Sequence, residues 1–314
     1  DRHAVNAVAL VTESVIKSPL AGFLEAECRN AGIVVEFYNV TASCARYSEL
    51  YRTTPNVITW NCRMPHDWMT KWGNNVLFVE NSLLCQRAGV FIDHGGFFAN
   101  SNLCHKQTWR KRYNVDLDAF TRKHFGWGAM EGGTPDGPVL VVLQNPLDSS
   151  VVQGFPASGR NKDKIGAALS IVIEHLPRSR RVIVRPNPRF LSEWTHDAML
   201  PEGWTVEYSE SFHQVLPRCS AMITVNSTAA SEAVTLGIPT AVLGTGAFTG
   251  SGAVFECHDV PERLRGFFDW TPDSDSCRYY AEAILGRHFM SYTTPTPDNP
   301  ELASWLQSAI NAAR

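Results

Sequence analysis

The sequence predicts an α/β protein made of two successive Rossmann-like domains facing a cleft. Three observations predict it. At 314 residues the chain exceeds the roughly 100–200 residues of a single domain. Its apolar residues fall in short, nearly continuous runs separated by helical patterns, as expected of parallel strands buried on both faces. A Gly/Pro-rich break, Glu131 to Pro138 (EGGTPDGP), divides that alternation into two series. The expected boundaries are 1–135 for the first domain and 136–290 for the second, with 291–314 forming a terminal helix that crosses back.

In the first series, Val5 to Val11 (VNAVALV) is a buried strand, followed by a helix over about Leu20 to Ala31 and a second strand over Ile33 to Val40. A helix near Ala42 to Tyr51 leads to strands at Val57 to Trp60, Val76 to Glu80 and Val90 to Asp93. Helices follow over Leu103 to Arg112 and Leu117 to Phe125. The second series opens with strand Val139 to Gln144 (VLVVLQ) and helix Lys162 to His175. Strands Arg181 to Arg185 and Trp204 to Tyr208 come next, then helix Ser211 to Arg218 and strand Ala221 to Val225. Helix Ala229 to Leu236 and strand Thr240 to Leu243 complete it. Strands separated by helices imply right-handed crossovers and parallel sheets. After a Thr/Pro-rich connector (TTPTPDNP), a last helix spans Pro300 to Ala313.

Composition excludes several classes. A net charge of −3 gives no basic footprint for a nucleic-acid backbone. The densest basic run, Lys106 to Arg112 (KQTWRKR), fits a solvated helix face. The eight cysteines show no CxxC pair, so zinc spacing is absent and reduced thiols in a cytoplasmic protein are expected. There is no signal-peptide pattern and no apolar run of about 18 residues, so any role in an envelope pathway is expected at the cytoplasmic side, peripheral to the inner membrane. A start at Asp1 rather than Met points to a trimmed chain.

In open α/β sheets ligands sit beyond the carboxyl ends of strands, which singles out four loops. Asn226-Ser227-Thr228 follows a strand and opens a helix carrying Glu232. Its N–H groups and hydroxyls suit a phosphate, or Ser227 and Thr228 simply cap the helix. Glu232 either accepts from a ribose diol or complements the helix dipole. Arg185-Pro-Asn187-Pro leaves the next strand stiffly, presenting Arg185 to a phosphate or to solvent. Gln144-Asn-Pro-Leu-Asp148-Ser149 places a carboxylate where a nucleophile, a base or a turn cap would stand. Glu80-Asn81 closes a strand of the first domain, as a general acid/base across the cleft or as a buried structural carboxylate. Asp93-His94-Gly-Gly lies nearby, with His94 read as a loop residue.

Taken in order, these segments resemble the bacterial β-Kdo transferases of capsule and O-antigen assembly. The first-half motifs of that family correspond to Trp60-Asn61, Glu80-Asn81-Ser-Leu-Leu84 and Asp93-His-Gly-Gly96. The second-half motifs correspond to Gln144 to Ser149, Arg185 to Pro188 and Ser227 to Ala233. The likeness spans about Trp60 to Gly244. It implies a glycosyltransferase-B-like fold and a retaining transfer from CMP-Kdo, with Asp148 as the nucleophile that forms a glycosyl adduct and Glu80 as the acid/base. It further implies that Gln144, Ser149, Arg185, Asn187, Asn226, Ser227, Thr228 and Glu232 bind the donor, and that Asn81, Asp93 and His94 face the acceptor. The implied partners are a nucleotide sugar, CMP- or UDP-linked, and a saccharide or glycolipid acceptor. Without an Asp-x-Asp motif near the site, no obligatory metal or other cofactor is expected.

Four positions depart from the family pattern. Asn187 replaces a histidine, Arg185 a lysine, Ser82 a glycine and Ser231 a phenylalanine. Asn can hydrogen-bond a phosphate but cannot give it a proton, so leaving-group stabilisation falls on Arg185 and the helix N-terminus. The alternatives are transfer to modified DNA bases, a nucleotide-sugar epimerase or hydrolase, and a non-catalytic nucleotide-sugar-binding module.

Overall fold

The computed structural model describes residues 7–40, 44–60, 72–96, 100–104, 112–145, 151, 154–155, 163–258 and 260–312. By its contacts the chain divides into two compact units, Asp1–Leu103 with Ala283–Arg314, and Cys104–Glu282. This division differs from the expected boundaries at 135/136 and 290/291. The helix Leu117–Phe125 belongs with the second series, where the Phe125 ring lies on His213 with centroids 4.7 Å apart.

The first unit is built on a six-stranded sheet of order β12-β5-β4-β3-β1-β2. Its strands are β1 (Ala7–Val11), β2 (Val35–Asn39), β3 (Asn56–Trp60), β4 (Asn75–Asn81), β5 (Gly89–Asp93) and β12 (Phe289–Ser291). β1 and β3 are buried at every position, because helices such as Pro19–Asn30 cover the parallel region. The sheet is not wholly parallel, contrary to the sequence expectation. β5 runs antiparallel to β4, and β12 antiparallel to β5. The reason is chain length: residues 82–88 are too few for a crossover, so the strand has to return alongside its neighbour. Gly89 is required where β12 docks, since a Cβ there would meet the Met290 carbonyl oxygen at 2.2 Å. The expected helix over Leu103 to Arg112 is represented only by a 3-10 turn at Asn102–Cys104, the remainder lying largely outside the described residues.

The helix Pro300–Ala312 packs on this sheet through Leu302, Trp305 and Ala309, which share one helix face. The Trp305 indole donates to the Asn75 carbonyl at 3.0 Å, and the Asn75 amide donates back to the Trp305 carbonyl at 2.9 Å. A fully buried ring thus has its one polar atom satisfied.

The second unit is a doubly wound parallel sheet of order β11-β10-β9-β6-β7-β8. Its strands are β6 (Val139–Val142), β7 (Val182–Arg185), β8 (Thr205–Val206), β9 (Ala221–Thr224), β10 (Thr240–Val242) and β11 (Phe255–Glu256). The helix Lys164–His175 carries the chain from β6 to β7, and the helix Ala229–Leu236 carries it from β9 to β10 in the opposite direction along the sheet. Right-handed crossovers leaving in opposite directions put these helices on opposite faces. The order reverses between β6 and β9, and a crevice opens there beyond the strand ends.

Trp305→Ala should destabilise the first unit by about 3–5 kcal/mol through the cavity it leaves. Limited proteolysis with mass mapping checks this, with cleavage rising in residues 7–96 and 283–312 while 163–258 stays protected.

Candidate functional site

The second unit assembles the expected donor-binding residues from three adjacent strands. Val142 is in register with Arg185 on one side and Thr224 on the other, so the loops after β6, β7 and β9 leave from one edge. Gln144 bridges the crevice itself, its side-chain oxygen accepting from the Asn226 N–H at 2.8 Å, with both residues buried. The Asn226 amide donates to the Thr245 carbonyl at 2.9 Å, fixing the loop after β9 against the loop after β10. Gly154 makes this approach possible, because a Cβ there would lie 2.6 Å from the Asn226 amide nitrogen.

Arg185 ends β7 and is only 7% exposed, and its Nη1 has no hydrogen-bond partner. A buried guanidinium donor without a partner is costly unless something arrives to accept from it. Burial pulls its pKa below the usual arginine value, and the carboxylates of Glu207 and Glu210 oppose that shift. Glu207 is itself held ionised, its pKa brought down to about 2 by the N–H of Glu210 and the hydroxyl and N–H of Ser209. Asn187 follows Arg185 and accepts from the Arg189 N–H at 3.0 Å, capping the 3-10 segment Pro188–Glu193.

At the helix Ala229–Leu236 the Ser227 hydroxyl accepts from the Ala229 N–H at 3.2 Å, and Thr228 stands at the N-cap without a side-chain capping bond. Glu232, 9% exposed, has a carboxylate oxygen 2.8 Å from His213 Nε2. His213 had no signal in the sequence, because nothing in the spacing ties it to a residue 19 positions later. Its ring lies against Phe125 and Phe212, on a short helix whose start is fixed by a Ser211–Gln214 capping box. Ser231, the departure from phenylalanine, shares a 2.7 Å hydrogen bond with the buried Tyr280 hydroxyl. Asp148 and Ser149 lie outside the described residues, as does Asn61.

In the first unit Glu80 and Asn81 end β4, both half-buried, and Glu80 accepts from the Asn81 N–H at 2.7 Å. Asp93, expected at the acceptor side, lies at the end of β5. It is fully buried and accepts from the N–H groups of Gly95, Gly96 and Asn102 and from the Ser101 hydroxyl. The two glycines after it permit this close approach, since a Cβ at Gly95 would meet Asn102 Oδ1 at 2.4 Å and one at Gly96 the Asn100 carbonyl oxygen at 2.8 Å. His94 is half-buried, its Nε2 2.9 Å from Asn75 Oδ1 and its N–H donating to Glu301.

Asp93, His288 and Glu301 bring one potential metal-ligating atom each to within 4.8 Å of one another. Most of their polar atoms are already engaged within the protein. Glu301 accepts from Arg287 Nε at 2.5 Å, from the His94 N–H and from the Asn102 amide. His288 Nδ1 lies 3.0 Å from the Ile92 carbonyl, an obligate acceptor, so this nitrogen carries a proton, while the buried Nε2 has no hydrogen-bond partner. Burial, and then Glu301, push the Asp93 carboxyl upward. Burial also resists ionisation of Glu301, but His288, the His94 N–H, Arg287 and Asn102 more than offset it. Burial holds the His288 imidazole down to about 4.

The two units therefore define a class: successive α/β units, the second a doubly wound sheet with a buried cation at the end of the strand next to its strand-order reversal. Residues 192–273 match the family described as "Putative glycosyltransferase (DUF6716)". The chain is similar in structure to Thermosulfurimonas dismutans KpsC, beta Kdo 2,7 transferase, with TM-score 0.57 and 14% identity, over 98% of this chain and 100% of that one. It is also similar to the beta Kdo 2,4 transferase of KpsC from the same organism, with TM-score 0.53 and 13% identity, over 89% of this chain and 91% of that one. At such identities the likeness is one of fold, which is glycosyltransferase-B-like. No match is found among curated protein sequences. No helix among the described residues is long and apolar enough to cross a membrane.

Because the folded His288 titrates near 4 and the unfolded one near 6.5, its contribution to stability is lost as pH falls through that window. His288→Asn keeps a donor for the Ile92 carbonyl without the titration. Wild type should therefore lose roughly 1–2 kcal/mol more than the variant between pH 7 and pH 5, measured by thermal melts of the two proteins side by side.

Proposed function

We propose that this protein is a glycosyltransferase that moves a sugar from a nucleotide-sugar donor to a saccharide or glycolipid acceptor. The observation that carries the reading is Arg185, a buried guanidinium with an unpartnered Nη1 at the carboxyl end of β7, the strand next to the strand-order reversal of a doubly wound sheet. Such a group suits the phosphate of a nucleotide, with the N-terminus of the helix Ala229–Leu236 two strands away supplying further N–H donors. Glu232, turned toward His213, is the candidate for the ribose hydroxyls. The family match over residues 192–273, which holds His213 and that helix, supports the same class of reaction.

The sequence likeness supports a two-step, retaining course. The Asp148 carboxylate attacks the anomeric carbon, and the bond to the nucleotide phosphate breaks with its electron pair leaving on the phosphate. Glu80 then takes the proton of the acceptor hydroxyl, whose oxygen attacks the same carbon and releases Asp148. Two displacements restore the starting configuration. CMP is the nucleotide and Kdo the sugar that the likeness favours, with UDP-linked donors the alternative.

The test is thermal-shift screening with CMP, UDP, GDP and their sugars. A nucleotide at about a hundredfold its Kd should add about 2.7 kcal/mol of stability, and no shift with any of them would overturn the reading. Asp148→Ala should abolish transfer while leaving nucleotide binding intact, as read by product analysis beside the same melts. Arg185→Gln should weaken nucleotide binding roughly ten- to hundredfold, the loss of a hydrogen bond to a charged group, measured by calorimetric titration.

A further inference from the structure

We propose that the cavity at the carboxyl ends of β6 and β7 holds the sugar ring of the donor, with Trp194 and Phe190 as its apolar wall. This rests on the glycosyltransferase reading above and adds to it a subsite of specified chemistry. The cavity has a volume of about 260 Å³ and lies wholly within the second unit. Its lining is amphipathic in the way a pyranose is. Phe190, Trp194 and Ile165 offer apolar surface to the C–H face of a ring, while Asp163, Asn187 and Glu193 can accept from hydroxyl groups.

The wall is braced rather than loose. The Trp194 indole N–H donates to Asp197 at 2.8 Å, and His196 Nε2 lies 2.9 Å from the Asp163 carboxylate. The His196 ring packs against Trp194 with centroids 5.1 Å apart. Asp163 is at the same time the N-cap of the helix Lys164–His175, accepting from the Gly166 N–H at 2.8 Å.

Position then decides between the parts of a donor. Asp163 and Ile165 belong to the start of the β6–β7 crossover helix, and Glu232 belongs to the β9–β10 crossover helix, on the opposite face of the sheet. A nucleotide whose ribose meets Glu232 and whose phosphate lies over the strand ends near Arg185 continues across the edge to the other face. The next group along it is the sugar, and the base, attached to the ribose, stays behind on the Glu232 side. Gln144 marks the passage, since it lines the cavity and also accepts from the Asn226 N–H at the reversal point.

The experiment compares the melting shift given by CMP and UDP with that given by CMP-sialic acid, UDP-glucose and UDP-N-acetylglucosamine, on the full chain and on two variants. Trp194→Ala removes the wall, and Glu193→Ala removes an exposed side chain. In wild type, one nucleotide sugar should bind more tightly than its parent nucleotide. Both variants should keep the parent nucleotide's shift and lose the sugar's increment, a drop of about tenfold in affinity for the sugar nucleotide. A Trp194→Ala protein that loses the shift of the free nucleotide would place the base in the cavity and overturn the proposal. So would variants that keep the whole increment, or a wild type that gains nothing from any sugar. Those outcomes leave the glycosyltransferase reading standing, whereas failure of every nucleotide to bind overturns both.

Discussion

The second unit depends on one contact, the Gln144 side-chain oxygen accepting from the Asn226 N–H across the place where the strand order reverses. Crossovers that depart in opposite directions cannot cover the strand ends between them, so a crevice is unavoidable in this topology. A crevice leaves backbone N–H groups short of partners, and a buried one left unmet costs about 1–3 kcal/mol. Gln144 meets that need with a side chain long enough to span two strands. The loops after β6 and β9 are thereby joined, while the pairing of Val142 with Arg185 on one side and Thr224 on the other spaces Arg185 from the helix Ala229–Leu236.

Charge is handled differently in the two units, and partner count explains the difference. In the first unit Asp93, Glu301, His288 and Arg287 are linked to one another and to the surrounding N–H groups, with His288 Nε2 left without a partner, and this ties the segment after residue 283 to the end of β5. In the second, Arg185 is buried with a donor to spare, and its compensating charges, Glu207 and Glu210, act from the surface. The buried Arg185 donor is the group that the proposed reading assigns to a phosphate.

Much of this was legible beforehand. The helices Leu117–Phe125 and Ala229–Leu236 have the limits that their apolar spacing predicts. β1, β3, β6 and β9 coincide with the continuous apolar runs, because burial on both faces leaves a local trace. Gln144, Arg185 and Asn226 could be picked out as residues just past strand ends. What stayed hidden depends on distant partners. β12 is three residues long and exists only because β5 offers an edge. His213 matters through Glu232, and Trp194 through a cavity closed by residues some 30 to 50 positions earlier in the chain. Ser231 is similar: a small polar residue where the related pattern has phenylalanine makes sense once the Tyr280 hydroxyl is found 2.7 Å away.

The way the first sheet is completed has a consequence for biosynthesis. β12 and the Trp305 helix come from residues 289–312, while the rest of that sheet comes from residues 7–93. The second unit is one unbroken stretch, Cys104–Glu282. On a ribosome the unit begun first is therefore the one finished last, holding an unpaired β5 edge and an uncovered β4 face until some two hundred further residues have emerged. Chaperone dependence during translation should follow that interval, and it would shorten in a circular permutant that joins the two pieces of the first unit.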